Sequence, residues 1–315
     1  MNALVWRLHR NQAYIAGAAL VALGALLLIT GVTMTREYHA FLASCAAARS
    51  CGHAGQLFAG DGAVTSLVDA TMAVPLLFGL FWGAPLLARE FEDGTHNLAW
   101  TQGVTRIRWL NHTVLWPLLA AAGWGAAMAA LVSWWRHPEN AVGAPVRLAT
   151  FTFDIQGIAP VAYAVFAVAL GIAAGALFRR VLPAMAATFT VFAGLRFLIA
   201  EYARPHYLTP VSRSYPPFSD NAAPHGSLVL SNATLGPRGQ DYTAGLGFQQ
   251  VPAACRGNAT GQLNSCLASH GFHTQILYQP ASRFWAFQGI EAGTFVVLAA
   301  ALVAVAYRMV LARDA

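Results

Sequence analysis

Six apolar runs, each long enough to cross a lipid bilayer, dominate this chain: Ala13–Val32, Leu67–Leu87, Leu110–Trp134, Gln156–Phe178, Val181–Ala200 and Gly289–Tyr307. A helix rises about 1.5 Å per residue and the hydrocarbon layer is about 30 Å thick, so a span needs about 20 mostly apolar residues. One such run is compatible with a buried helix in a soluble core; six in one chain are not. Composition agrees. The chain is 57% hydrophobic and only 10% charged, where a soluble domain carries about 25% charge. The expected fold class is an all-α integral membrane protein with six transmembrane helices.

Orientation follows from arginines near the span ends, because cytoplasmic flanks concentrate basic residues. All 19 basic residues are Arg. With the N-terminus inside, Arg7, Arg10, Arg89, Arg106, Arg108, Arg179, Arg180, Arg308 and Arg313 fall in short cytoplasmic segments. The other side carries Arg36, Arg49, Arg136 and Arg147, with several more in the long segment Glu201–Gln288, which counts little because long loops translocate regardless of charge. Both termini are therefore expected in the cytoplasm. The net charge of +6 is spread among apolar spans, which suits membrane anchoring and argues against nucleic acid. An arginine-only, alanine-rich composition points to a GC-rich bacterial genome, and so to a bacterial plasma membrane.

The cysteines support the same orientation. Cys45 and Cys51 lie between spans one and two, and Cys255 and Cys266 between spans five and six. All four then face the outside, where disulfides persist. Local pairs, Cys45–Cys51 and Cys255–Cys266, are the simplest of the three connectivities. Metal binding competes, although the spacings are not C-x2-C. Leu42-Ala43-Ser44-Cys45 resembles a lipoprotein cleavage box, but it lies well past an apolar run long enough to be retained as a span.

Three regions stand out between the spans. Met1–Gln12 reads as a basic flank or a short amphipathic helix in the inner interface. Glu201–Gln288, rich in Pro and Gly, reads as a loop-rich extracellular cap stapled by a disulfide. Its end, Tyr278–Glu291, carries Phe284, Trp285 and Phe287 and reads as an interfacial helix or re-entrant turn. This divides the chain into 1–200 with spans one to five, 201–288 as the cap, and 289–315 with span six and the tail. Asp69, Asp154, Arg196, Glu201 and Glu291 sit near the outer span ends, shallow enough to pair or reach water. Asp69, Arg196, Glu201 and Glu291 are candidates for a polar outer vestibule, with Glu201 or Glu291 as partner for Arg196. Gly17, Gly24 and Gly31 recur every seven residues in span one, which would let a second helix approach closely.

The segment between spans two and three gathers charge unusual for this chain. Span two is expected to continue as helix to about Asp93, and Gly94 permits the left-handed turn that ends it. Thr95 can cap a short transverse helix over about His96–Gln102, and Thr105 can cap the helix entering span three. Such a helix, carrying Trp100 and polar groups, suits docking to a soluble partner.

These residues resemble a known family. Ala88-Arg89-Glu90-Phe91-Glu92-Asp93-Gly94-Thr95, followed by Leu98-Ala99-Trp100-Thr101-Gln102-Gly103-Val104-Thr105-Arg106-Ile107-Arg108-Trp109, is similar to the membrane-spanning permease subunits of the ABC type-2 exporter superfamily, in its actinobacterial branch. Tyr278-Gln279-Pro280 and Arg283-Phe284-Trp285 resemble the family's segment before its last span. The resemblance implies that residues 89–109 form a coupling segment against a separate ATPase subunit, with that role carried by Glu90, Glu92, Gly94, Thr95, Trp100, Thr101, Gln102 and Arg106. It also implies a second permease copy or sister chain, and a pathway between copies built from spans one, two and five.

With no Lys in the chain, no phosphate-binding G-x-x-x-x-G-K-[ST] loop exists. ATP and Mg are therefore expected in the partner ATPase, and no cofactor in this chain. Two alternatives belong to other classes: a non-transporting scaffold or sensor driven by an ABC ATPase, and a membrane-embedded enzyme. The spans are too poor in His, Asp and Glu to favour the enzyme.

Overall fold

The structure, a computed structural model, describes residues 2–48, 62–94, 105–142, 146–218, 223–247, 249–256 and 260–313. In chain order these form α1 (Asn2–Ala48), α2 (Gly62–Glu92), α3 (Arg106–Trp135), α4 (His137–Ala141), α5 (Thr150–Phe153), α6 (Ala159–Phe178) and α7 (Val181–His206). A cap follows, with β1 (Val211–Tyr215), β2 (Leu228–Leu235), α8 (Thr260–Ser269) and β3 (His273–Gln279), and then α9 (Phe284–Arg313). Six helices, α1, α2, α3, α6, α7 and α9, are long and apolar enough to cross a membrane. α2 is jointed by its prolines. A 3-10 turn at Thr71–Ala73 precedes Pro75 and a π turn at Gly79–Gly83 precedes Pro85. Proline donates no N–H and crowds the carbonyl four residues back, so regular α geometry gives way there.

Side-chain contacts fix the directions. Trp124 Nε1 donates to the Ala16 carbonyl and Trp135 Nε1 to Thr30 Oγ1, so α1 and α3 run parallel. The Gln288 amide oxygen accepts from the Ala159 N–H, and Glu291 accepts from Tyr163, so α6 and α9 run parallel. Gly79 and Gly83 lie against Ala167 and Val168, which sets α2 parallel to α6. One end of the bundle carries the cap. The other carries the junction between α2 and α3.

α6 is the central helix. It is apolar on every side, and nearly all its residues from Ala159 to Ala176 are buried. Small residues allow this. A Cβ on Gly79, Gly83, Gly171 or Gly175 would fall 2.5–2.8 Å from backbone atoms of the facing helix. These are two facing pairs of glycines four residues apart, and they bring the backbones of α2 and α6 into direct contact.

The glycines of α1 have a different use. Gly17, Leu20, Gly24, Leu27, Gly31 and Met34 alternate at spacings of three and four, the seam pattern of paired helices. Leu27 and Met34 are buried on this stripe. A Cβ on Gly31 would fall 2.8 Å from the Trp134 ring, and one on Gly24 would lie 3.6 Å from Leu131, while Gly17 faces open space. The helix that approaches Gly24 and Gly31 is thus α3 of the same chain.

The cap departs from the loop-rich expectation, so the all-α reading holds for the membrane helices but not for the cap. It contains an antiparallel sheet in the order β1-β3-β2. β3 buries Thr274, Ile276 and Tyr278 on one face, the period-two pattern of a half-buried strand. The expected interfacial element at Tyr278–Glu291 is not separate either. A single 3-10 turn at Ala281–Arg283 leads straight into α9, which starts at Phe284, ahead of the expected Gly289. Cys255 and Cys266 form the expected disulfide, with Cα atoms 5.6 Å apart. Cys51 lies outside the described residues, and the Cys45–Cys51 pairing with it.

Candidate functional site: a buried charge cluster and the opposite end of the bundle

Where the cap meets the bundle, four charged side chains converge, from two helices and the connection between α5 and α6. Asp154 lies just ahead of α6, Arg196 and Arg204 lie on α7, and Glu291 lies on α9. Arg204 reaches Asp154 at 2.6 Å and Glu291 at 2.8 and 3.0 Å. Arg196 pairs with Asp154, and with Glu291 at 3.1 Å. Tyr163 donates to Glu291 at 2.5 Å and Tyr207 at 3.3 Å. The two guanidinium groups also stack on rings: Arg196 lies 3.6 Å from the Tyr163 centroid, and Arg204 lies 4.1 Å from that of Phe153. Asp154, Arg204 and Glu291 are buried. Two positive and two negative charges cancel, which is the condition for burying them at all. Burial pushes the Asp154 carboxyl above its ordinary range, and Arg196 and Arg204 beside it pull the other way. Tyr207 is pushed up by burial and by the Glu291 charge, so it stays a donor.

The cluster joins both stems of the cap. Nearby, the Gln279 amide donates to the carbonyls of Pro205 and Leu208, at 2.9 and 2.6 Å, and Arg283 donates to the Thr209 carbonyl at 2.7 Å. Gln288 donates to the Phe153 carbonyl while accepting from the Ala159 N–H, which fastens α9 to the entry of α6. The chain enters the cap from α7 and leaves it into α9, and these bonds hold entry and exit side by side.

Of the four vestibule candidates, Arg196 and Glu291 meet in this cluster. Asp69 belongs to a separate one, at 2.5 Å from Arg136, which also pairs with Glu139 at 3.2 Å. Glu201 is exposed on α7 and does not join either cluster. Sequence reasoning missed Arg204, Tyr163 and Tyr207. Arg204 follows Arg196 by eight residues, which an ideal α-helix would set about 80° apart. The π turn at Ile199–Ala203 holds extra residues in one turn and returns Arg204 to the face of Arg196.

At the opposite end, α2 closes at Glu92, and Gly94 adopts φ +69°, as its expected helix-ending role requires. Thr105 stands at the N-cap of α3 in extended conformation, without the expected side-chain cap bond, and Arg106 opens the helix. Thr95, Trp100, Thr101 and Gln102 lie outside the described residues. Glu90 sits half-buried on the last turns of α2. Glu92 accepts a hydrogen bond at 3.0 Å from the N–H of Val181, the first residue of α7. Among the described residues, the Cys255, Cys266 and His270 side chains form a group of metal-binding type. Its two sulfurs are joined to each other, so this group is not a metal site in the oxidised cap.

The family comparison covers five of the six bundle helices: the ABC-2 membrane transporter related family matches residues 17–204, more than half of the chain. The chain belongs to this family. No curated protein and no solved structure matches it. The ABC-2 match runs from α1 through α7 and ends on Arg204; the cap and α9 lie beyond it. An ABC-2 protein of this kind is a multi-pass membrane permease component, typically non-catalytic, and it implies a nucleotide-binding ATPase subunit as its partner.

Proposed function

We propose that this protein is the permease subunit of an ATP-driven exporter in a bacterial plasma membrane, with both termini in the cytoplasm. Two permeases, identical or sister chains, work with two ATPase subunits. The ATPase docks on the coupling segment 89–109, where Glu90, Gly94, Thr95, Trp100, Thr101, Gln102 and Arg106 present or shape the surface. ATP closes the ATPase pair, the coupling segments move with it, and the membrane halves pass between inward- and outward-open states. The shift requires contacts that differ between those states. The charge cluster at the cap end serves as the outer catch. The pathway runs between the copies, along spans one, two and five.

The observation that carries this reading is the ABC-2 family match over the first five spans, which include the α2–α3 junction. Gly94, in its left-handed turn, supports it by ending α2 ahead of that junction. The test is gentle purification of the tagged chain from its native host, with mass spectrometry and an ATPase assay on the eluate. An ATPase subunit is expected with wild type and is expected to be lost with Thr101→Arg, which adds a bulky charge to the docking surface. An intact membrane assembly without any ATPase overturns the proposal.

A further inference from the structure

The junction between α2 and α7 carries an inference that rests on the proposed function and extends it. Glu92 is the last residue of α2 and one of the residues expected to face the ATPase. Its carboxylate instead accepts the N–H of Val181, 89 positions later, at 3.0 Å. The first N–H groups of a helix have no partner within it, and the helix start carries partial positive charge, so a carboxylate is a favourable cap there. α7 has no local alternative. Its N-cap residue is Arg180, which makes no side-chain cap bond. The two-residue turn that delivers α7 puts Arg179 in the left-handed region at φ 54° and lays its guanidinium 4.8 Å from the Phe91 ring. Phe91 and Glu92, adjacent at the end of α2, therefore hold the turn and the start of α7 between them.

The other end of α7 holds Arg196 and Arg204, the two cations of the charge cluster under the cap. α7 is continuous between these ends, from Val181 to His206. We infer that Glu92 is a positioning residue that transmits the ATP cycle: it passes displacement of the coupling segment to the start of α7, and α7 carries it to the catch formed by Arg196 and Arg204 with Asp154 and Glu291. Its partner in this role is the α7 backbone, not the ATPase. Glu92→Ala removes the acceptor. Glu92→Gln keeps one.

The test uses the full permease with the ATPase subunit that co-purifies from the native host. Nitroxide pairs on introduced cysteines report distances with and without ATP and vanadate: Arg89→Cys with Arg108→Cys, exposed on either side of the coupling segment and outside α7, at the coupling end, and Phe151→Cys with Tyr202→Cys at the cap end. In wild type, nucleotide shifts both pairs. In Glu92→Ala, the coupling-end shift is expected to persist while the cap-end shift is lost, and Glu92→Gln is expected to restore it. Persistence of the coupling-end shift shows that the variant folds and binds its ATPase, which a purely structural defect would not preserve. A full cap-end shift in Glu92→Ala overturns the link and leaves the functional reading standing. No nucleotide-dependent shift at either pair in wild type overturns the functional reading, and the link with it.

Discussion

α1 and α6 are almost equally apolar, yet 11% of the most apolar stretch of α1 and 78% of that of α6 is buried inside the protein. Hydropathy places a helix in the bilayer but does not place it within the bundle, because lipid tails are as apolar as leucine. Side-chain size decides the second question. α6 carries alanine and glycine on all sides, so α2, α3, α7 and α9 can all pack on it. α1 carries its glycines on one stripe only, turns that stripe to α3, and leaves Ile15, Val21 and Ile29 exposed for lipid or a partner chain.

That comparison breaks most sharply at Gly171. Its Cβ would fall 2.5 Å from Ala84 N and Gly79 O, backbone atoms that cannot step aside. Gly171→Leu is expected to prevent assembly, beyond the ~3 kcal/mol of ordinary overpacking, and to yield aggregate in size-exclusion chromatography. The charge cluster comes next. Glu291→Ala leaves the buried Arg204 and the half-buried Arg196 with one carboxylate, at about 3–5 kcal/mol for a broken buried pair, read as a lower melting temperature in detergent. Asp154 adds a pH signature. Its folded pKa lies above the unfolded 3.8, so the native state holds a proton longer and this group's contribution falls as pH rises from 3.8 through the folded value. Asp154→Asn is expected to remove that slope from melting curves taken across acid pH. The disulfide is smaller and local. Cys255→Ser is expected to loosen the cap by about 2–4 kcal/mol, seen as faster proteolysis of the cap with an unchanged bundle melt. At the bottom stands Gly17→Leu in α1, with no atom within 4 Å of its Cβ. It is expected to stay within about 0.5 kcal/mol of wild type; a large loss there would mean that α1 is held by more than its seam with α3.

The membrane helices were legible because twenty apolar residues have few other uses, and Gly94 because a left-handed turn favours glycine. The three-stranded sheet was obscured by prolines and glycines, although Thr274, Ile276 and Tyr278 display the alternation of a strand. The charge cluster was half legible. Arg196 and Glu291 stood out as isolated charges near span ends. Arg204 did not, because it lies past the apolar run Val181–Ala200, among residues that read as the start of the cap, whereas α7 continues as helix to His206. Glu92 was read as facing a partner, and its bond to Val181 crosses 89 residues, a contact no local pattern announces. The seven-residue glycine repeat was visible from the start, but only the packing of Gly31 on Trp134 tells that it is used within the chain.

The central claim, that the segment between α2 and α3 is driven by an ATPase, is tested most directly by contact. A photo-crosslinking amino acid at Thr101, activated in native-host membranes, labels whatever touches the coupling segment. The account predicts one dominant adduct, with a nucleotide-binding subunit, that changes in yield when ATP is added. Adducts with lipid alone, or with proteins that bind no nucleotide, would contradict it.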